Sequence, residues 1–378
     1  MKPEIFSEIG PIEKVIVHAP GDEHDQVLPV NVQEYIEEKG KIIKNKNFLL
    51  FDDIIDTKLA KSQHQTFKDI INFYKPNSCI EISSLYDKKD VFYDLLKGDF
   101  PIINLMYTRD IAAIIGNDIF LTCSHSIVRR KERKLSKNLF NKSIFKNYNI
   151  VDFKKIGKGL SLEGGDIFVI SDEIVFIGIS ERTSKKAIDL IVPYIFKQDF
   201  KYVAALDLPK KRSMMHLDTI FTQISRNEAI LFDDSDNNSI NKLNVYLASK
   251  NNKDQKLKKI NINILDLFKD FGFKFKIINC GGNKSNFKLR EQLTDGANSF
   301  ALDIGKIIMY NCNDRTIEEL KKNGYHHITS KLFKKDIKGF GKILKSDKKV
   351  VVSIDGSELV KGRGGPRCMT LPIRRGLI

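Results

Sequence analysis

The sequence predicts an α/β fold assembled from one repeated unit, strand–turn–strand–helix–strand, in a chain of 378 residues, long enough for one large domain or two ordinary ones. Three observations predict it. The order of elements recurs four or five times although the copies share little sequence, which suggests units stacked radially around a centre. No Gly-rich phosphate loop opens a helix, which argues against a doubly wound fold. Residue types that carry chemistry recur at the mouths of the hairpins, where radial stacking lets them converge.

The elements follow in order. Gly10-Pro11 breaks the chain ahead of a short apolar strand, Lys14 to His18, and Ala19-Pro20-Gly21 ends it. Residues 31–50 are mixed and polar, and Lys41 to Lys46 reads as solvated surface. Lys58 to Phe73 carries apolar residues at helical spacing and stops before Pro76; Cys79 to Ile82 is a strand. A short apolar-periodic piece follows at Val91 to Leu96. Ile111 to Ile115 and Ile119 to Thr122 flank the turn Gly116-Asn117-Asp118 as a hairpin, with Thr108-Arg109-Asp110 just before it. Ser126 to Phe145 is a basic helical stretch.

A second hairpin, residues 167–170 and 174–178, is preceded by Glu163-Gly164-Gly165-Asp166 and followed by a helix from Thr183 to Phe196 and a strand at Val203 to Leu206. A third, 220–224 and 229–232, follows Met215-His216-Leu217-Asp218-Thr219 and precedes a helix at 264–271 and a strand at 275–278. A fourth lies in 300–310, then a helix from Thr316 to Asn323 and a strand from Val350 to Ile354, and the loop Gly362 to Cys368 closes the chain.

The totals narrow the function. The formal net charge is +15, which raises the question of a nucleic-acid or other anionic partner. The lysines are spread through the chain rather than gathered in a block, and no nucleic-acid motif accompanies them. Cysteines 79, 123, 280, 312 and 368 are odd in number and form no CxxC pair, which argues against a disulfide framework or zinc ribbon and for a reducing compartment. The N-terminus lacks the apolar stretch of a signal peptide and no apolar run reaches membrane-spanning length, so a cytoplasmic location is expected.

The chemistry centres on Gly362-Arg363-Gly364-Gly365-Pro366-Arg367-Cys368. Glycines permit a fixed tight turn, and two nearby guanidinium groups favour the thiolate, the reactive form of cysteine. The ordinary alternative is a buried, inert cysteine behind a turn. Asp110, Glu163, Asp166, His216 and Asp218 stand at the other strand mouths. So many carboxylates around one His and one thiol are unusual for a peptidase but suit a cationic substrate, because a planar guanidinium offers paired N–H donors to carboxylates. Glu163, Asp166, His216 and Asp218 are also ordinary metal ligands, but no HExxH-type spacing accompanies them, so no metal is expected.

Taken together, Asn104 to Asp110, Leu162 to Asp166, Gly178 to Thr183, Met215 to Thr219, Arg290 to Asn298, Arg363 to Met369 and the opening Ile9 to Val15 resemble the motif set of the arginine deiminases. The resemblance implies a five-bladed α/β propeller of the guanidine-modifying pentein superfamily, as a single catalytic domain over residues 1–378, and hydrolysis of L-arginine to L-citrulline and ammonia without a cofactor. It implies Cys368 as nucleophile, His216 and Glu163 as proton carriers, and Asp110 and Asp218 as guanidinium ligands. Asn104, Arg129, Asp166, Arg182 and Arg363 fall where such enzymes bind the rest of the substrate. Two departures stand out: Tyr107 replaces the usual Phe, and the helical insertion before residue 100 is shortened. The alternatives are an amidinotransferase or methylarginine hydrolase, and, from another class, a basic nucleic-acid-binding protein. The expected partner is L-arginine alone, with no nucleic acid and no membrane; a homo-oligomer is compatible with this reading.

Overall fold

The computed structural model describes residues 4–87, 92, 101–145, 148–233 and 239–378. The apolar piece read at Val91 to Leu96 lies outside them except for Phe92. The chain forms a mixed α/β fold in which five sheets repeat one pattern: an antiparallel pair, then a third strand parallel to the second. Leu371–Arg375, Ile12–Val17 and Cys79–Glu81 form the first sheet. Ala112–Ile115, Asp118–Leu121 and Ile150–Asp152 form the second. Ile167–Val169, Ile174–Ile179 and Tyr202–Asp207 begin the third, which Val245–Ser249 and Lys258–Ile260 extend to five strands. Phe221–Ser225, Glu228–Leu231 and Lys276–Asn279 form the fourth. Phe300–Asp303, Lys306–Tyr310 and Val350–Ile354 form the fifth, with His326–Thr329 at its edge. Each sheet is open.

A helix makes each parallel return, as a crossover requires. Thr57–Tyr74 serves the first sheet; the Asp56 carboxylate caps it by accepting from the Leu59 amide at 2.8 Å, and its buried stripe of Ala60, Phe67, Ile70 and Ile71 faces the core. Lys185–Phe196 serves the third and Asp314–Lys322 the fifth. Strand Leu371–Arg375 of the first sheet touches Ala112–Ile115 of the second, Phe221–Ser225 of the fourth touches the Phe300–Asp303 hairpin, and Ile12–Val17 touches Phe300–Asp303. Apolar residues fill these seams; edge-to-face rings of Phe176, Phe221 and Phe268 lock the third sheet to the fourth, each such pair adding about 1 kcal/mol beyond its burial.

Several elements escaped the sequence reading. The polar stretch 31–50 contains a hairpin, Tyr35–Glu38 with Lys41–Lys44, whose Lys39 and Gly40 both take positive φ. Both its faces are largely exposed, so it carries no alternation to read. The single basic helix read from Ser126 to Phe145 is instead a helix Arg130–Phe140 between two short 3-10 turns. The chain does not close on the Cys368 loop: Leu371–Arg375 follows it and pairs with the first strand. Val245–Ser249, His326–Thr329 and helices Ser285–Leu293, Ser330–Lys335 and Ile337–Leu344 were also unread, being short, charged or at sheet edges. Among the described residues no helix is long and apolar enough to cross a membrane.

Candidate active site

The hairpin mouths converge. Each is preceded by a short 3-10 turn, Thr108–Asp110, Gly164–Asp166 and Leu217–Thr219, and these turns touch one another. A 3-10 turn just before a strand aims its side chain along the strand end, which is how three segments far apart in sequence share one buried cluster. Close packing of the turns depends on glycine: a Cβ on Gly164 would overlap the carbonyl of Arg109, and one on Gly165 the ring of His216.

His216 Nε2 lies 2.8 Å from Glu163 Oε2 and 3.9 Å from Asp110 Oδ1, while its Nδ1 is 4.0 Å from Asp218 Oδ1. Burial opposes the imidazolium, but Asp110, Glu163 and Asp166 outweigh it and raise the His216 pKa to about 10. Glu163 is fully buried, which would raise its pKa; Arg182, His216 and Arg129 overcome that and hold it well below the usual carboxylate range. Its second oxygen accepts from the Ser124 hydroxyl at 2.8 Å and the His125 amide at 2.7 Å. At neutral pH the pair is therefore an ion pair, with the imidazolium poised to donate.

Cys368, 6% exposed, is linked to this pair through Asp218, whose Oδ1 lies 4.0 Å from His216 Nδ1. Asn298 Nδ2 donates to Sγ at 3.1 Å, and Asn298 Oδ1 accepts from the Cys368 amide at 3.1 Å. Sγ in turn lies 3.5 Å from Asp218 Oδ2. The expectation that two arginines would favour the thiolate is corrected here. Burial, with Asp218, Asp295 and Asp110, pushes the thiol well above its usual range, and Arg367 offsets only part of this. Arg367 spends its charge elsewhere: fully buried, it pairs with Glu8 at 2.8 Å and Asp218 Oδ2 at 2.9 Å and stacks on Phe168 at 3.6 Å. Arg363 turns away to pair with Asp52, which also holds Arg212.

The remaining expected residues divide by what their polar atoms already do. Asp110 accepts from Arg129 Nη1 at 2.6 Å and from the Gly165 amide at 2.9 Å. Asp218 Oδ1 is buried without a hydrogen-bond partner, free for a donor from a ligand. Arg182 Nη1 is 3.7 Å from Glu163, and its Nε has no hydrogen-bond partner. Arg129 is buried and committed to Asp110, Glu132 and the carbonyls of Asn104 and Tyr107. The Asn104 amide donates to the Leu49 carbonyl at 2.9 Å. Asp166, expected to bind substrate, has both oxygens engaged, by the Leu217 amide at 2.9 Å and the Ser180 hydroxyl at 2.6 Å; burial raises its pKa to about 7. Its position ties one hairpin mouth to the next.

A cavity of about 380 Å³ adjoins the cluster. Arg182, His125, Phe48, Leu50 and Arg212 are among the residues that line it. Cys368, His216 and Asp218 do not line it. Asp110, Glu163 and His216 each offer one atom within 4.8 Å of the others, the spacing of metal ligands. Yet Arg129 and Arg182 already neutralise the two carboxylates, and a cation would have to displace the short Glu163–His216 bond, so this donor set suits a proton relay better than a metal. Asn298, Arg367 and Glu8 are site residues that the sequence reading did not assign. Asn298 ends the quoted segment Arg290 to Asn298, so a signal for it was present; Glu8 carried none.

Solved structures share this fold. The N-terminal domain of ArgZ bound to product, described as an arginine dihydrolase from cyanobacteria, matches 97% of this chain and 98% of its own, with a TM-score of 0.58 at 14% identity. The arginine deiminase family model matches residues 75–375, and the chain belongs to that family. It is 30% identical to the arginine deiminase of Borreliella burgdorferi (strain ZS7) over 98% of this chain and 97% of that protein. It is 29% identical to the arginine deiminase of Mycoplasma capricolum over 99% and 97%.

Proposed function

We propose that the protein hydrolyses free L-arginine to L-citrulline and ammonia through a covalent adduct on Cys368. The observation that carries this is the thiol held between Asn298 and Asp218, the same Asp218 that adjoins the charged His216–Glu163 pair. In the empty site the acids keep the thiol protonated. A guanidinium bound to Asp110 and Asp218 offsets those negative charges and favours the thiolate as substrate arrives. Sulfur attacks the guanidinium carbon. The thiol's proton passes to solvent; His216 delivers its own proton to one amino nitrogen, the C–N bond breaks and ammonia leaves. A thiouronium remains. Water then attacks its carbon, giving a proton to His216, and the C–S bond breaks to release citrulline and the thiol. Glu163 keeps His216 oriented through both steps.

Arg182 and Arg363 bind the substrate carboxylate in this reading, with Arg129 and Asn104 shaping the same wall and Asp166 acting as a positioning residue. Five sheets of one repeated pattern, with contacts joining the third to the fourth, the fourth to the fifth, the fifth to the first and the first to the second, support a five-bladed pseudo-symmetric propeller forming one catalytic domain. Five unpaired cysteines favour a reducing, cytoplasmic setting. No cofactor is required.

The test is a product assay in chelator-treated buffer over arginine, agmatine and a methylated arginine. Citrulline and ammonia in equal amounts from arginine alone is the expected result. Arg182→Gln should raise the KM for arginine about tenfold to a hundredfold and narrow its advantage over agmatine. Methylarginine as the better substrate, or activity lost to chelation and restored by one metal, would replace this reading.

A further inference from the structure

We propose that a basic cavity joined to Glu163 through Ser124 and His125 binds a phosphate group, and that its occupancy slows the arginine hydrolysis proposed above. The phosphate is inorganic or that of a small aliphatic ester. The cavity measures about 430 Å³ and shares only His125 with the one beside Arg182. Ser124, His125, Arg130, Arg133, Lys154 and Ser161 are among the residues that line it. Among the described residues no carboxylate and no Phe, Tyr or Trp does so.

Separate segments build this lining. Arg130 and Arg133 stand three residues apart in helix Arg130–Phe140, so they share one face. Lys154 belongs to the short helix Phe153–Ile156, which Asp152 caps by accepting from the Lys154 amide at 3.2 Å. The acid beside them is Asp152, whose two oxygens accept from Arg133 Nη2 at 2.7 and 2.9 Å; Glu132 faces Arg129 instead. Three cations against the Asp152 carboxylate leave two positive charges, which match a phosphate dianion. Among the described residues neither Arg130 nor Lys154 forms an ion pair. Arg133 Nη1 is buried without a hydrogen-bond partner, a costly state that calls for an acceptor. Guanidinium, ammonium and hydroxyl groups are the donors that phosphate oxygens take. A wall without Phe, Tyr or Trp gives a nucleobase little to stack on.

The same lining reaches the proposed proton relay. The Ser124 hydroxyl and the His125 amide donate to Glu163 Oε1 at 2.8 and 2.7 Å, while Glu163 Oε2 holds His216 at 2.8 Å. A serine hydroxyl has one proton to donate. A dianion in the cavity competes for it and draws on the segment that carries both donors. Glu163 then loses part of its support, and His216 its fixed orientation, while the substrate's own contacts stay in place.

The experiment titrates the full chain with inorganic phosphate and with glycerol 3-phosphate in a calorimeter, at an ionic strength held constant with chloride. Saturable binding of either probe supports the site, and the tighter of the two tells free ion from ester. The double variant Arg130→Gln/Lys154→Gln removes two exposed cations outside the proposed catalytic cluster, so it should fold and turn over arginine normally in phosphate-free buffer. Its affinity for phosphate should fall at least about tenfold. Lys154→Arg should keep most of the binding. Phosphate should lower kcat for arginine at least about twofold and leave KM unchanged. No saturable binding to wild type, equal affinity in the double variant, or inhibition that excess arginine relieves, which would seat phosphate in the substrate site, each overturns the inference. Bound phosphate with an unchanged kcat overturns the link to Glu163. Calorimetry needs no turnover, so a protein that binds phosphate without hydrolysing arginine refutes the functional reading and leaves the site standing.

Discussion

In the proposed mechanism the chemistry turns on Cys368. Cys368→Ser should abolish citrulline formation, by at least about a thousandfold, while the thermal unfolding curve stays close to wild type, because oxygen replaces sulfur in a site that packs around Asn298. Residual turnover near the wild-type rate in that variant would sink the covalent mechanism. His216 makes a second prediction, on stability. Its folded pKa of about 10 lies above the ordinary 6.5, so its contribution is complete below about pH 6.5 and is lost as pH rises through about 10. Glu163, shifted down, contributes above its ordinary value of 4.5 and loses that contribution on acidification. The difference in Tm between wild type and His216→Gln should therefore be largest near about pH 6 and shrink toward about pH 10; a gap that widens with pH would contradict the ion pair. The cysteine, the histidine and four of the acids stand in the sequence at recognisable motifs. The state of the thiol does not, since it depends on Asp218, Asp295 and Asp110 approaching from three separate segments.

At the scale of elements, the Gly164–Asp166 turn decides whether the cluster can form. A methyl group on Gly165 would meet the His216 ring, so Gly165→Ala should displace the imidazole from Glu163. Expected are a fall in kcat of about tenfold or more and a stability loss of about 1–3 kcal/mol, read by steady-state kinetics and denaturant unfolding. A variant with wild-type kcat would show that the ring has room to move without losing its function. Gly365 plays the same part beside the thiol, where a Cβ would come within 2.7 Å of the Asn298 carbonyl. Hairpins with apolar strands on both sides of a turn were legible, as at 167–179 and 300–310. The exposed hairpin 35–44 and the edge strand Lys258–Ile260 were not, because a strand with little buried face has no pattern to show.

Over the whole molecule, the two ends of the chain meet in one sheet. Leu371–Arg375 pairs antiparallel with Ile12–Val17, and Arg375 donates to the Gly10 carbonyl at 2.7 Å. Deleting residues 371–378 should strip the first sheet of that strand and expose the apolar seam it shares with the second. Loss of a cooperative thermal transition in the truncated protein is the expected outcome; an unchanged Tm would make the terminal strand dispensable. The net charge of +15 resides on scattered surface lysines, while the interior gathers acids around the thiol, so a basic protein can still present a cation with a locally acidic site.

The sequence by itself determined the repeated unit and the family and marked out the proposed reacting groups, because these rest on local patterns: apolar runs between turns, and short motifs at strand mouths. Only the tertiary structure decided what each charge does. Arg367, adjacent to Cys368 in the chain, braces Asp218 and Glu8, and Asn298, seventy positions away, holds the sulfur. Asp166, indistinguishable in the sequence from a substrate ligand, is consumed by Ser180 and Leu217. Charge and hydrogen-bond partners are set by distances across separate sheets in a low-dielectric interior, and those distances exist only once the sheets have packed.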